Sequence, residues 1–197
     1  MTEHAANAFN HSFWRFSLAF YEVERVQGIC LRLQDEAGLD VNRLLFACWL
    51  GALGRRAVAE HPLWQRVAVW QQEIIQPLRQ LRRAQPKERE AQRRLRRLMQ
   101  EVELKAEQCE QWWLFQGCEA VSEPRLLATP RVTWDNLLDV ALTAPRLPLP
   151  RAELLELLRE LVALNHPNAE PAELERLDES HRVDKSHYLD ERQRFSE

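Results

Sequence analysis

Apolar residues recur at helical spacing along most of this chain, and the stretch after Gly38 has the clearest pattern. There they fall at i, i+3, i+4, i+7, i+11 and i+12, at Val41, Leu44, Leu45, Cys48, Ala52 and Leu53. Asp40 is suited to cap this helix, because its carboxylate can accept backbone amides. Gly38 is suited to end the preceding helix, because glycine tolerates the left-handed conformation. The pattern predicts two helices joined by a tight turn, with the second helix deeply buried.

Similar stripes predict helices over most of the remaining chain, the predicted spans being about 12–21, 22–37, 40–60, 62–84, 87–116, 134–143 and 152–165. Ser12 and Thr133 are the expected caps of the first and sixth helices, and Pro77 should kink the fourth. The fourth and fifth helices are separated only by Gln85-Pro86, which predicts an antiparallel hairpin. The apolar residues expected to face inward in this hairpin are Leu63, Val67, Trp70, Ile74, Leu78 and Leu81, then Leu95, Leu98, Val102, Ala106, Cys109 and Trp113.

Composition supports an all-α fold, since the chain has only five glycines in 197 residues and no sustained alternation of β-branched residues. We expect a single compact bundle of six to eight helices that contains the long antiparallel helical hairpin. The predicted helical domain covers 1–166, with a core at 12–116, a proline-rich segment at 117–150 and a packing helix at 151–166. A polar acidic tail, partly disordered, is expected at 167–197.

Charge is sorted along the chain although the formal net charge is only −3. Residues 79–97 hold nine basic and two acidic residues, whereas residues 101–123 hold six glutamates and one lysine. A helical wheel places seven arginines of the hairpin end on faces that point to water, and we call them the basic tip: Arg79, Arg82, Arg83, Arg89, Arg93, Arg96 and Arg97.

A solvated helix face would account for part of the basic tip, because long charged side chains commonly cover helices. The spacing of the arginines favours a binding role in addition, since like charges four residues apart on a helix destabilise it by ~0.2–0.5 kcal/mol per pair. The sequence therefore predicts a non-enzymatic interaction module that docks an acidic protein partner through these arginines. An RNA-binding or ribosome-associated protein is the alternative, because arginines also contact phosphates. The oligomeric state is left open.

A helical enzyme with a polar site near Asp35 and Asp40 is a second alternative. No second aspartate-rich motif accompanies this pair, and no nucleotide-binding or catalytic motif occurs in the chain, so we assign no catalytic, cofactor-binding or metal-ligating residue and expect no cofactor. Capping explains Asp40. With Gln34 and Asn42, Asp35 is expected to form a polar network that ties the turn to the bundle.

The chain is expected to be a soluble cytoplasmic protein. Its longest apolar run, residues 44–54, is too short to span a bilayer, and the N-terminus has no basic region followed by an apolar core. The cysteines are interpreted as small buried apolar residues in a reducing compartment, at Cys30, Cys48, Cys109 and Cys118.

Several short motifs resemble an uncharacterised bacterial family known as domain of unknown function 2390. They are Phe13-Trp14-Arg15-Phe16-Ser17-Leu18, Leu33-Gln34-Asp35, Gly38, Asp40-Val41-Asn42, Leu45-Phe46, Trp49-Leu50-Gly51, Trp70 and Pro77-Leu78-Arg79. The resemblance covers about residues 12–115. It implies a small helical cytosolic protein and supplies no activity and no catalytic residues. The motif residues expected to have a structural role are Gln34, Asp35, Gly38, Asp40, Asn42 and Trp49.

Overall fold

A computed structural model describes residues 10–86, 89–125, 129–143 and 149–177. The fold is helical, as predicted, and also contains a small two-stranded sheet that the sequence pattern did not indicate. Its elements are α1 (Ser12–Tyr21), α2 (Glu24–Ala37), α3 (Val41–Ala52), β1 (Arg55–Ala57), α4 (Pro62–Trp70), a π-helical turn (Gln71–Ile75), α5 (Gln76–Ala84), α6 (Glu90–Gly117), β2 (Ser122–Pro124), α7 (Pro130–Ala141), α8 (Arg151–Asn165) and α9 (Pro171–Glu175).

Two compact units make up the described chain. The first contains residues 10–14 and 60–121, and the second contains residues 15–59 and 122–177. The predicted boundary between the helical domain and the tail, at residue 166, stays a prediction. The tail predicted to be partly disordered begins with an ordered stretch, since α9 and the buried Leu177 belong to it. The rest of that tail, 178–197, lies outside the described residues.

In the second unit, α3 is the central helix and packs mainly against α7. Every residue of α3 from Leu44 to Gly51 is buried, which confirms the predicted burial of this helix. The two helices lie close together at Gly51. A Cβ atom added there would lie 2.7 Å from the Cα atom of Thr133 and still closer to its hydroxyl. Glycine is therefore required at this position, because backbone lies where a side chain would begin.

The turn before α3 is built as the sequence predicts. Gly38 has φ 66° and closes α2, with its amide donating to the carbonyl of Gln34 at 3.2 Å. Asp40 caps α3, and its carboxylate accepts the Asn42 amide at 2.9 Å. Both assignments follow from local chemistry, which explains why the sequence was sufficient to make them.

Three expected boundaries are wrong. His11, not Ser12, caps α1, since its Nδ1 accepts the Trp14 amide at 3.1 Å. Thr129, not Thr133, caps α7, and Thr133 is instead fully buried within the helix. The third helix ends at Ala52 rather than near residue 60, because Gly54 adopts φ 66° and the chain continues as β1. Strand β1 pairs antiparallel with β2, with Arg56 opposite Glu123.

Buried amides anchor the elements of the second unit. Asn136 of α7 accepts the Ala57 amide at 2.9 Å and donates to the Arg55 carbonyl at 2.9 Å. Asn165 of α8 donates to the Cys48 carbonyl at 3.0 Å. His166 lies 2.6 Å from the Thr133 hydroxyl through its Nε2, and burial lowers the pKa of its imidazole although Glu173 opposes this. These polar contacts fix α7 and α8 against α3.

In the first unit, α4, the π-helical turn and α5 form one continuous rod that packs beside α6. Pro62 lies in the first turn of this rod, as predicted. The indole of Trp70 donates to the Ala106 carbonyl at 3.0 Å, and its ring meets that of Trp113 edge-on at 4.9 Å. The predicted antiparallel hairpin is therefore present.

All four cysteines lie in the described part of the chain and carry free thiols. Cys30, Cys48 and Cys118 are buried, and Cys109 is half-buried. Burial raises the pKa of Cys30 to about 12 and also raises that of Cys48, so both thiols stay protonated at neutral pH. Among the described helices, none combines the length and the apolar character that crossing a bilayer requires.

The close approach at Gly51 can be tested with two glycine substitutions. Gly51→Ala should destabilise the protein by about 2–3 kcal/mol, because a Cβ would overlap the Thr133 backbone. Gly28→Ala is the matched control, since Gly28 lies in α2 with open space around it. It should stabilise the protein by ~0.5 kcal/mol through helix propensity. Chemical denaturation measures both changes, and equal effects would contradict the packing described here.

Candidate functional site

The hairpin formed by α5 and α6 carries the arginines that the sequence singled out. Glu103 of α6 is the central residue of their contact. Its carboxylate binds the Arg79 Nε atom at 2.9 Å and the Arg82 Nε atom at 2.5 Å. Glu107, one turn further along α6, binds the second guanidinium nitrogen of Arg79 at 2.8 Å. The acidic part of the hairpin thus neutralises some of its basic part.

The expectation that all seven arginines of the basic tip face water is wrong for three of them. Only 13% of the Arg79 side chain and 20% of the Arg82 side chain are exposed. Arg96 is half-buried and donates to the Arg82 carbonyl, so it also participates in the helix contact. These three arginines hold the hairpin together from inside.

The π-helical turn explains why the helical wheel failed here. A π-helical turn contains more residues than an α-helical one, so it rotates the residues after it by roughly a quarter turn relative to a regular helix. The buried positions of the rod consequently run Val67, Gln71 and Ile75, and then pass to Arg79 and Arg82. Leu81, which the wheel placed inside, is 54% exposed.

The inward face of α6 also differs from the predicted one. Ala106 is buried as expected, but the other inward positions in this helix are mostly polar, at Glu103, Gln108, Glu110 and Gln111, with Leu114 near the end. Leu95, Leu98 and Val102 were expected inside and are instead exposed. The outer half of the hairpin therefore has polar residues between its helices and apolar residues on its surface.

Exposed arginines remain at the end of the hairpin. Helix α6 begins at Glu90, whose carboxylate accepts from Arg93 at 2.7 Å and lies 3.5 Å from Arg97. The exposed arginines of this end are Arg83, Arg89, Arg93, Arg94 and Arg97. Glu90 is shared by two of them, so positive charge exceeds negative charge at this end.

Glu103 is held in its charged form. Burial of the carboxylate acts to raise its pKa, but the hydrogen bonds and charges of Arg82 and Arg79 outweigh that cost, so the pKa lies below its ordinary value. The same contact raises the pKa of Arg82. At neutral pH both partners are therefore ionised and the contact between α5 and α6 is a salt bridge.

Motif residues form local contacts around the turn between α2 and α3. Asp40 and Asn42 meet at the cap of α3, and the Gln34 amide donates to Asp35 at 3.2 Å on the exposed side of α2. Trp49 is buried and its ring lies 5.7 Å from that of Phe46. Gly38, Asp40, Asn42 and Trp49 therefore lie in the turn, at the helix cap and on the buried face of α3, and their structural role stays a prediction.

Glu103 and Glu107 are the residues of this site that the sequence reasoning missed. The signal was present, because an acidic segment follows a basic one across the hairpin break and antiparallel packing brings the two together. Within the described ranges, no cluster of three or more histidine, cysteine, aspartate or glutamate side chains could hold a metal ion. The exposed side chains of the basic tip are guanidinium groups.

The salt bridges of Glu103 lead to a prediction about stability and pH. Glu103→Gln should cost about 2 kcal/mol, because two guanidinium groups lose a charged acceptor. Since the carboxylate has a lowered pKa in the folded state, its contribution is present above the unfolded-state pKa near 4.5 and is lost as the pH falls through the folded-state pKa. The difference between wild type and variant should therefore shrink in acid.

Denaturation curves recorded from neutral pH down to acid pH measure this difference. Glu73→Gln is the control, since Glu73 is exposed on the same rod and should change stability by less than about 0.5 kcal/mol. A constant difference between wild type and Glu103→Gln at all pH values would contradict the role given to the charge.

Comparison with known proteins identifies the family and supplies no function. The model of a protein family of unknown function, DUF2390, matches residues 12–114, which confirms the resemblance carried by the motifs around Gly38 and Trp49. Searches of curated proteins and of solved structures find no match. The family model covers α1 to α5 and most of α6, and with them both the first turn and the hairpin. Because the matched stretch is more than half of the 197 residues, the chain belongs to the DUF2390 family.

Proposed function

We propose that this protein is a non-enzymatic interaction module that docks an acidic protein partner through the end of its helical hairpin. The docking residues are the exposed members of the basic tip, at Arg83, Arg89, Arg93 and Arg97. Arg79, Arg82 and Arg96, which the sequence grouped with them, position the two helices and are removed from the docking set.

The observation that carries this proposal is the excess of basic over acidic residues at this end of the hairpin. Residues 79–97 hold nine basic and two acidic residues, and Glu103 and Glu107 supply two further acids, which leaves a formal charge of +5. Guanidinium groups bind carboxylates in bidentate geometry and keep their charge at any physiological pH. An acidic protein surface is the complementary partner.

The position of these arginines on α6 supports docking to one surface. Arg89, Arg93 and Arg97 follow one another at four-residue spacing, so they lie along a single side of the helix. Arg89 is also the N-cap of α6, where its side chain forms no capping hydrogen bond, and the helix dipole there adds positive potential. A partner that supplies several carboxylates would relieve the repulsion among these groups.

Nucleic acid fits the site less well than an acidic protein. Residues 79–97 contain no aromatic residue, so the arginines have no neighbouring ring on which a base could stack. The formal net charge of −3 also opposes approach to a phosphate backbone. Capping explains Asp40, Asp35 accepts from the neighbouring Gln34, and no observation favours an enzymatic role for this pair.

Affinity purification from native cells tests the proposal. Full-length protein should recover an acidic partner in fixed stoichiometry, and the variant Arg89→Glu/Arg93→Glu should lose most of it, because reversal turns attraction into repulsion. The control variant Arg125→Glu/Arg176→Glu carries the same change in total charge at exposed arginines outside the hairpin. It should retain the partner.

The outcomes separate the function classes. Material that absorbs at 260 nm and dissociates with rising salt would favour RNA binding over the proposal. Equal partner recovery by both charge-reversed variants would contradict docking at the hairpin end. Thermal unfolding of both variants checks that neither loss of binding reflects loss of folding.

A further inference from the structure

Three exposed apolar residues form a continuous stripe on the outer half of α6. Leu95, Leu98 and Val102 are 42%, 51% and 53% exposed, and their spacing of three and four residues puts them on one side of the helix. We call these residues, with the exposed Ala91 one turn before Leu95, the leucine stripe. Single exposed apolar residues are ordinary, but a row of them along one helix indicates a surface that another helix covers.

The leucine stripe is a different surface from both contacts already described. The face of α6 that meets α5 contains Arg96 and Glu103, and the arginines proposed to dock a partner begin at Arg89 and recur at Arg93. At 100° per residue, Leu98 lies about 140° from Glu103 and about 140° from Arg93, on opposite sides. Substitutions on the leucine stripe therefore leave the other two faces intact.

The spacing of the leucine stripe is that of a coiled-coil seam. Ala91 and Leu98 occupy d positions of a heptad, and Leu95 and Val102 occupy a positions, which is the pattern of a helix that packs against one other helix. The seam covers about three turns, enough for a contact of low affinity. Such a contact needs its flanking charges to set orientation and register.

We propose that a second copy of this chain covers the leucine stripe, so that two α6 helices pack antiparallel. The flanking g positions hold Arg94 and Glu101, which carry opposite charges and for which no hydrogen bond or ion pair is found among the described residues. In an antiparallel pair, g positions face g positions. When Leu95 packs against Leu98 of the second copy, Arg94 lies opposite Glu101 of that copy, and symmetry creates the same pair a second time.

Other arrangements lack this charge complementarity. In a parallel pair, g positions face e positions, which here are Met99 and Ala106, so neither charge is matched. Shifting the antiparallel register by one heptad in one direction places Glu101 opposite Glu101 of the second copy. Shifting it in the other direction places Arg94 opposite Arg94 of the second copy. Both shifted registers place like charges together. The charges therefore favour one antiparallel register. They also favour a second copy of this chain as the partner that covers the leucine stripe.

Sedimentation velocity of the full-length protein at several concentrations tests this proposal. Wild type should show a reversible, concentration-dependent dimer, and Leu98→Glu should remain a monomer, because it places two charges in the seam. Gln100→Glu is the matched control, since it adds the same charge to an exposed position on the other side of α6. It should dimerise as wild type does.

Charge exchange tests the register. Arg94→Glu and Glu101→Arg should each weaken dimerisation by about tenfold, because both ion pairs become repulsive. An equimolar mixture of the two single variants should dimerise again, since each repelling charge then meets its opposite on the other chain. The double variant Arg94→Glu/Glu101→Arg should also dimerise as wild type does.

Several results would overturn the proposal. A wild-type protein that stays monomeric at all concentrations would do so, as would a Leu98→Glu variant with an unchanged dimer. A dimer that forms only after removal of residues 178–197 would mean that the chain's own end covers the stripe. Failure of the mixed variants to associate would exclude the register. Because Arg89 and Arg93 are untouched, none of these results bears on the proposed docking of an acidic partner.

Discussion

The outer half of the hairpin depends on one buried carboxylate. Glu103 accepts from Arg79 and Arg82 together, and Glu107 adds a second contact to Arg79. Removing Glu103 would take a carboxylate from both arginines at once, in a place with little water, and would leave Arg79 with Glu107 alone. The contact therefore fixes which faces of α5 and α6 meet, and it does so with polar groups where most helix pairs use apolar ones.

Two exposed surfaces result from the polar contact between α5 and α6. Because polar residues occupy the helix contact, the apolar residues of α6 are left on the outside as the leucine stripe. Basic residues outnumber acidic ones in residues 79–97 even when Glu103 and Glu107 are counted with them, so the hairpin end has a positive formal charge. A salt bridge inside the hairpin thus creates one apolar and one basic surface on different sides of the same helix, and each is suited to a different occupant.

The second unit is organised by steric fit and buried amides rather than by charge. Gly51 lets α3 approach the backbone of α7 at Thr133, and Asn136 and Asn165 satisfy carbonyl groups that the close packing removes from water. The family model reaches α3 but ends at residue 114, before α7 and α8. The family match therefore includes Gly51 but not the helix whose backbone lies next to it.

Local chemistry was sufficient to predict the helical class, the hairpin, the Asp40 cap and the Gly38 turn, since each depends on residues within a few positions of one another. Local chemistry did not predict which face of each hairpin helix points inward. A helical wheel assumes a constant 100° per residue, and the π-helical turn at Gln71–Ile75 breaks that assumption just before Arg79. The sequence determined that α5 and α6 are amphipathic rods with sorted charge. Only the tertiary structure decided that Arg79 and Arg82 face Glu103 while Leu95 and Leu98 face outward. The π-helical turn sets the phase of α5, and α6 turns inward the face that carries the carboxylate for these two arginines.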